Sequence, residues 1–346
     1  MKSSYRAVQV TKPGTLELVE RRTPSPGRGE VLIAVEACGI CGADANDIEG
    51  ANPATQPPRV PGHEVIGRLV ALGDSVASIW KQGQRVGIGR LGGHCNACSQ
   101  CRRGQYQLCQ NQSIVGVSRD GGYAEMMLAR ATGLVAVPDE LKSEEAAPIL
   151  CAGIATFNAL KKCGAEAGDL VAILGIGGLG HMALQYASKM GFKVIAIGRG
   201  SDIAADALGL GAHHYIDSNE EDATATLKAL GGAQAIVATI NNPVAIAALL
   251  PSLAPQGCLV VLSPGKEPLP VPVGQLVSGE RGIFGSITGS SFESEKAMDF
   301  SLLAGVRPRI ETFPLEQAFV AYRRLKSGEA KFRIVLIMEG SSDAHQ

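Results

Sequence analysis

The sequence is short of aromatic residues, of net charge and of long apolar runs. Phe, Trp and Tyr together make up 4% of its 346 residues, which leaves few cues to the shape of a substrate pocket. Its net charge is −1, so there is no electrostatic case for nucleic acid or an anionic membrane as partner. No stretch approaches the roughly 20 apolar residues of a membrane span, and the opening MKSSYRAVQVTKPG has no apolar signal core. A cytoplasmic protein acting on a small molecule is the expectation. Internal repeats and low-complexity tracts are absent as well, and the last residues, GSSDAHQ, are expected to fray.

What is present suits about two globular domains. The chain is organised around LVAILGIGGLGHMALQYASKMGFKVIAIGRGS, residues 170 to 201. An apolar run (Leu170 to Leu174) meets Gly175, Gly177, Gly178, Leu179 and Gly180. A helical segment, a stop at Gly191 and a second apolar run (Val194 to Ile197) follow. A lone G-x-G-x-x-G is weak, but here strand, glycine turn, helix and strand come in the order a dinucleotide-binding unit requires. The glycines make a tight turn, admit a pyrophosphate and let helix pack on strand, with the diphosphate at the helix N-terminus.

Before this unit, VLIAVEAC, VIGRLVALG, RVGIG, GGYAEMML and LVAVP read as strands of an antiparallel, barrel-like domain. SEEAAPILCAGIATFNALKKCG then has helical spacing, with Ser143 as its N-cap. After it, strands HHYID, AQAIVATI, CLVVLS and IFGSI alternate with helices, one of them running through PVAIAALLPSLAPQG to Gly257. Six or so parallel strands with helices between them make a doubly wound sheet, so the fold class is α/β. The tail, ETFPLEQAFVAYRRLKSGEAKFRIVLIM, reads as strand, helix and strand returning to the first domain. The expected division is 1–152 with 288–346, including a lobe at 93–111, and 153–287 for the dinucleotide unit.

Nine cysteines in an intracellular chain point to metal or catalysis before disulfides. Cys95, Cys98, Cys101 and Cys109 form C-x2-C-x2-C-x7-C. Such gaps let four thiolates close a tetrahedron around a structural zinc, with no position left open for chemistry. An iron–sulfur cluster is the competing metal, although nothing else suggests electron transfer. A zinc-ribbon binding module is a reading of another class. Arg102 and Arg103 lie within the cluster, but the surrounding chain is not basic. Cys41 in ACGICGAD, His63 and Glu64 in PGHEVIG, and Cys151 are each ambiguous alone, since a lone buried Cys is most often a small apolar filler. Cys38, Cys163 and Cys258 are read as such fillers, and His94, His181, His213 and His214 as structural or surface residues.

Taken together, GHE at Gly62 to Glu64, GGYAEMM, the four-cysteine lobe, CAGIATFNAL, GIGGLG and GAHHYID resemble the zinc-containing medium-chain alcohol dehydrogenases, most closely their cinnamyl-alcohol-dehydrogenase-like branch. The resemblance covers nearly the whole chain. It implies a GroES-like catalytic domain, two zinc ions per chain and a homodimer paired through the last sheet strand. It implies Cys41, His63 and Cys151 as catalytic zinc ligands, Glu64 as an acid able to enter the metal's shell, Asp44 as the group orienting His63, and Thr156 beside the nicotinamide. Hydride transfer between a nicotinamide and a carbonyl or alcohol polarised by zinc follows.

Two positions depart from the family. Ala43 stands where a Ser or Thr usually relays the alcohol proton, and an alanine has no proton to pass. That motivates an alternative, reduction of an activated C=C or an iminium carbon. The second strand ends in Gly198, Arg199, Gly200 and Ser201, where an NAD enzyme carries an acid for the ribose hydroxyls. Loss of the acid and gain of a guanidinium favour NADP(H). A solvated Arg199, a Ser201 N-cap and an Asp202 contact to ribose are the competing assignments.

Overall fold

The computed structural model describes residues 3–338, and the GSSDAHQ tail lies outside them. Two compact units emerge, Met1–Ile154 with Gly289–Gln346, and Ala155–Thr288.

The first unit is β-rich. Ser4–Lys12 and Thr15–Arg22 form an antiparallel hairpin. A seven-stranded sheet runs in the order Ile310–Pro314, Arg333–Ile337, Glu30–Ile40, Glu64–Leu72, Arg85–Ile88, Leu134–Ala136, with Met126–Arg130 also paired to Glu30–Ile40. All its pairs are antiparallel except the first. Val31, Ile33, Val65, Val86, Ile334 and Leu336 meet in one core, each contributing about 1.5–3 kcal/mol of burial. The expected GGYAEMML strand begins only at Met126, because Gly121 and Gly122 lead a turn instead.

The helical run after it is broken into three. Ser143–Pro148 is α-helical, Ile149–Gly153 is a π-helical turn, and Ile154–Lys162 is α-helical again. Pro148 supplies no N–H to the ladder where the register changes. Ser143 is not the N-cap: Lys142 holds that position, and Ser143 Oγ donates to Glu36 Oε2 at 2.5 Å. The strand partner takes the hydroxyl that a cap would have used.

The second unit is a six-stranded parallel sheet, ordered His214–Asp217, Lys193–Gly198, Leu170–Leu174, Ala233–Ala238, Leu253–Val261, Gly282–Gly285. Leu170–Leu174 is wholly buried, as a strand covered on both faces must be. Strand order reverses beside it, so the carboxyl ends of Leu170–Leu174 and Ala233–Ala238 flank the switch point at which such sheets bind ligands. The helix expected to reach Gly257 stops at Ala248. Pro251 then falls in a 3-10 turn, Leu250–Ser252, and the next strand starts at Leu253. Pro255 is tolerated in that strand because the ladder bulges between Ala233 and Ala235.

Candidate metal centres and coenzyme turn

Cys41 follows the strand Glu30–Ile40 and caps the helix Gly42–Ile48. Ala43 N–H donates to Cys41 Sγ at 3.4 Å, and Cys41 N–H donates to Asp44 Oδ2 at 2.9 Å. A thiol thus stands where Ser or Asp ordinarily caps. Asp44 also accepts from Tyr123 Oη at 3.0 Å and from His63 Nδ1 at 2.7 Å. Three donors hold this one buried carboxylate. Because a carboxylate only accepts, the proton of a neutral His63 sits on Nδ1 and leaves the Nε2 lone pair free.

His63 Nε2 has no hydrogen-bond partner among the described residues, and neither does Glu64 Oε2. Both side chains are completely buried. Glu64 lies opposite Gly39 in the sheet, where any Cβ would collide with its carboxylate, so the close approach requires glycine. Cys151, in the middle of the π-helical turn, brings its Sγ to 3.7 Å from that of Cys41. Two thiolates on one tetrahedral zinc are about 3.8 Å apart. One donor atom each from Cys41, His63, Glu64 and Cys151 lie within 4.8 Å of one another. Two orphaned buried atoms and two thiols at this spacing fit a zinc ion.

The charges interlock. The hydrogen bond shared by the two thiols holds Cys41 well below the usual thiol value and raises Cys151 above it. Burial opposes a charge on His63, yet the Asp44 carboxylate and Cys41 outweigh it and push His63 up to about 10. Glu64 is pushed up to about 7, first by burial, while Arg333 pulls the other way. Glu64 Oε1 is paired with Arg333, a buried guanidinium on the strand Arg333–Ile337. Arg90 Nη1 reaches Asp47 Oδ2 at 3.2 Å and stands 3.4 Å from His63 Nδ1. Arg333, Arg90 and the hydroxyl of Tyr123 escaped the sequence reading. Arg333 lies 269 positions from its partner in a stretch that reads only as a strand.

The second group, Cys95, Cys98, Cys101 and Cys109, converges within the same 4.8 Å limit. Sγ pairs lie at 4.0 Å (Cys95 and Cys101) and 3.9 Å (Cys98 and Cys109). Its sulfurs accept from neutral donors: Cys98 N–H and Asn111 Nδ2 reach Cys95, and Cys95 N–H and Asn111 N–H reach Cys109, at 3.3–3.4 Å. Asn111 first, then backbone N–H groups, lower Cys95 to about 5. Burial and neighbouring thiols raise Cys101 to about 12. All nine cysteines are free, so no disulfide competes for these sulfurs. Cys38 and Cys163 are buried as fillers would be, while Cys258 is only partly so.

In the other unit, Gly175, Gly177, Gly178 and Leu179 form the turn between Leu170–Leu174 and the helix Gly180–Lys189. Any side chain at Gly180 would strike the carbonyl of Gly175, whereas the space over Gly177 is open. That open space is what a pyrophosphate needs. Thr156 is buried in the helix Ile154–Lys162. Gly198 ends its strand under Tyr215, whose hydroxyl lies 2.6 Å from where a Cβ would stand and donates to the Gly200 carbonyl at 2.7 Å. An acid at 198 would have to displace that ring, a constraint the sequence did not reveal. Arg199 and Ser201 are exposed, and Arg199 makes no ion pair among the described residues. Ser201 is not an N-cap: it lies inside a 3-10 turn, Ser201–Ile203, that Gly200 precedes.

Comparison with known proteins points to one family. Residues 27–139 match the family described as alcohol dehydrogenase GroES-like domain, and residues 178–302 match zinc-binding dehydrogenase. The alcohol dehydrogenase patD of Penicillium expansum is 40% identical over 97% of this chain and 98% of its own length. Among solved structures, the cinnamyl alcohol dehydrogenases of Sorghum bicolor superpose with a TM-score of 0.88 at 28% identity, over 96% of this chain and 97% of that one. The CAD of Helicobacter pylori, solved with NADP(H), gives 0.85 at 27% identity, over 98% and 99%. No helix among the described residues is long and apolar enough to cross a membrane.

Proposed function

The chain belongs to the zinc-containing medium-chain alcohol dehydrogenase family, and on that premise we propose that it moves a hydride between NADP(H) and an alcohol, aldehyde or ketone. The observation that carries this is the convergence of Cys41, His63, Glu64 and Cys151 with His63 Nε2 and Glu64 Oε2 left without partners. Cys41, His63 and Cys151 hold the catalytic zinc, and Cys95, Cys98, Cys101 and Cys109 hold a second, structural one. When bound, the catalytic zinc supplies a Lewis acid for the substrate oxygen and the nicotinamide supplies or accepts the hydride.

The chain's own residues prepare that chemistry. Asp44 takes the Nδ1 proton of His63 in a hydrogen bond and so aims Nε2 at the metal position. Tyr123 and the Cys41 N–H keep Asp44 from turning away. Arg333 balances Glu64, which retains one free oxygen for the metal's shell. With the coenzyme bound, Gly175 to Gly180 would cradle its pyrophosphate, Thr156 would lie beside the nicotinamide, and Gly198, Arg199 and Ser201 would receive the 2′-phosphate. An unpaired guanidinium and the absence of an acid support NADP(H) over NAD(H). The protein works in the cytoplasm, where thiolate ligands stay reduced, and pairs as a homodimer through the edge strand Gly282–Gly285.

Ala43 favours a second reading, reduction of an activated C=C or iminium carbon. Its methyl group follows Cys41 with no hydroxyl to carry the alcohol proton. Incubation of the zinc-loaded enzyme with an enal and either NADPH or NADH decides both questions. The first reading expects an unsaturated alcohol and a preference for NADPH. A saturated aldehyde would establish the second reading, and a clear preference for NADH would overturn the coenzyme assignment.

A further inference from the structure

A cavity of about 600 Å³ opens in the β-rich unit, and none of the roles above uses it. That volume lies within the range of small-molecule sites. Its polar wall holds four arginines, Arg21, Arg22, Arg59 and Arg119, with Ser118 and a single carboxylate, Asp120. Its apolar wall includes Tyr5, Pro24, Val60 and Met126.

Asp120 cannot neutralise the arginines. Its Oδ2 accepts from Arg21 at 2.8 Å, and its Oδ1 accepts from Arg59 and from the Val60 N–H, both at 3.1 Å. Arg119 gives one N–H to Glu30 Oε1 at 2.6 Å. Even with Glu30 counted, two positive charges remain unmatched. Each guanidinium has five N–H donors, and most of them have no acceptor among the described residues: Arg59 Nε and Arg119 Nη1 are buried without a partner, and the side chain of the exposed Arg22 makes no hydrogen bond among the described residues. The wall is also rigid. Gly121 N–H donates to the Val60 carbonyl at 2.7 Å, Gly122 N–H to Gly62 at 2.9 Å and Tyr123 N–H to Pro61 at 3.0 Å, which binds the Asp120 loop to the Val60 segment.

We propose that this cavity is a second ligand site, for a small organic dianion carrying its charge at one end of a compact apolar body. Arginines match planar or tetrahedral oxyanions with paired donors, and the apolar wall would take the uncharged end. The site shares no residue with the metal clusters or the glycine turn.

Calorimetric titration of the zinc-loaded protein tests this with phenyl phosphate as probe and phenol and inorganic phosphate as partial probes. One saturable site is expected with a Kd below about 1 mM, and each partial probe should bind at least about tenfold more weakly. Arg22→Glu reverses an exposed, unbonded charge and leaves the fold unburdened. It and Arg59→Gln should each raise the Kd about tenfold or more, while Arg199→Ala should leave it unchanged. The proposal falls if phenyl phosphate does not saturate, if both pocket variants bind as the parent does, if Arg199→Ala alone abolishes binding, or if inorganic phosphate binds equally well.

Discussion

The two cysteine-bearing clusters solve the same problem, gathering metal donors at a spacing near 4 Å, by opposite means. Cys95, Cys98, Cys101 and Cys109 come from 15 consecutive residues, and their sulfurs rest on backbone N–H groups and the Asn111 amide. Cys41, His63, Glu64 and Cys151 come from the end of one strand, the start of an interior strand and a π-helical turn, and charged groups surround them: Asp44, Arg333 and Arg90. A local cluster needs only its own loop to hold its shape. A dispersed one needs the whole sheet, and its mixed charges must be matched by partners as deeply buried as the donors. The local cluster is all sulfur and closed. The dispersed one offers a mixed set of two sulfurs, a histidine nitrogen and a carboxylate oxygen, and three ligands drawn from such a set leave a fourth position on a zinc open for chemistry.

Removing one sulfur from each cluster should separate their roles most widely. Cys151→Ser is expected to lower turnover by about 10³-fold or more, since a Lewis acid contributes several kcal/mol to the barrier, while elemental analysis shows one zinc lost from two. Cys101→Ser should also lose one zinc. Its main effect should be a lower unfolding temperature, because the lobe around residues 95–109 has little apolar core of its own. Equal losses of turnover at matched folded fraction would erase the distinction.

The next contrast lies in the charged surroundings that only the dispersed cluster has. Arg333→Met leaves Glu64 buried without its cation, and breaking such a pair costs about 3–5 kcal/mol. The double variant Arg333→Met with Glu64→Gln should recover most of that, because the uncompensated charge is gone. Urea unfolding of the three chelator-treated proteins measures it, and an Arg333→Met curve that overlays the parent would show that the pair contributes nothing to the fold. Asp44→Asn tests the support of His63. An orienting carboxylate is worth about 10–100-fold in metal affinity. Asn111→Ala removes one neutral donor to sulfur in the lobe, a net loss of about 1 kcal/mol, or roughly fivefold. Competition with a chromophoric chelator should rank the two in that order, and the reverse ranking would deny the special role of charge.

This contrast also explains how much could be read from residues alone. The six parallel strands, the glycine turn and the barrel-like strands follow from local periodicity and turn chemistry, and the lobe from ligand spacing. Nothing local joins Cys41 to Cys151, 110 positions apart, and only the family resemblance connected them. Arg333 was beyond even that, because its partner is set by the register of Arg333–Ile337 on Glu30–Ile40 and of Glu64–Leu72 beside it, and so was Tyr123, which reaches Asp44 from a segment bonded to Pro61 and Gly62. Tyr215 meets Gly198 for the same reason, across the parallel pair of His214–Asp217 with Lys193–Gly198. The misplaced ends, Ser143 and the helix expected to reach Gly257, are places where a tertiary partner or a proline outweighed local preference.

The smallest effect belongs to an ion pair on the same returning tail that carries Arg333. Glu311, on the strand Ile310–Pro314, accepts from Arg324 and from the Lys331 N–H. The bond from Arg324 holds its carboxyl below the ordinary 4.5, although burial pulls slightly the other way. A carboxyl depressed in the folded state binds its proton more weakly there than in the unfolded chain. Its stabilisation is therefore complete above about pH 4.5 and is lost as pH falls through the lower folded value. Solvent screens this pair, unlike Arg333 with Glu64, so Glu311→Gln should cost no more than about 1 kcal/mol at neutral pH. Parent and variant unfolding curves should then converge on acidification below pH 4.5. A cost at pH 7 as large as that of Arg333→Met, or a gap that persists in acid, would show that burial is not what separates the two pairs.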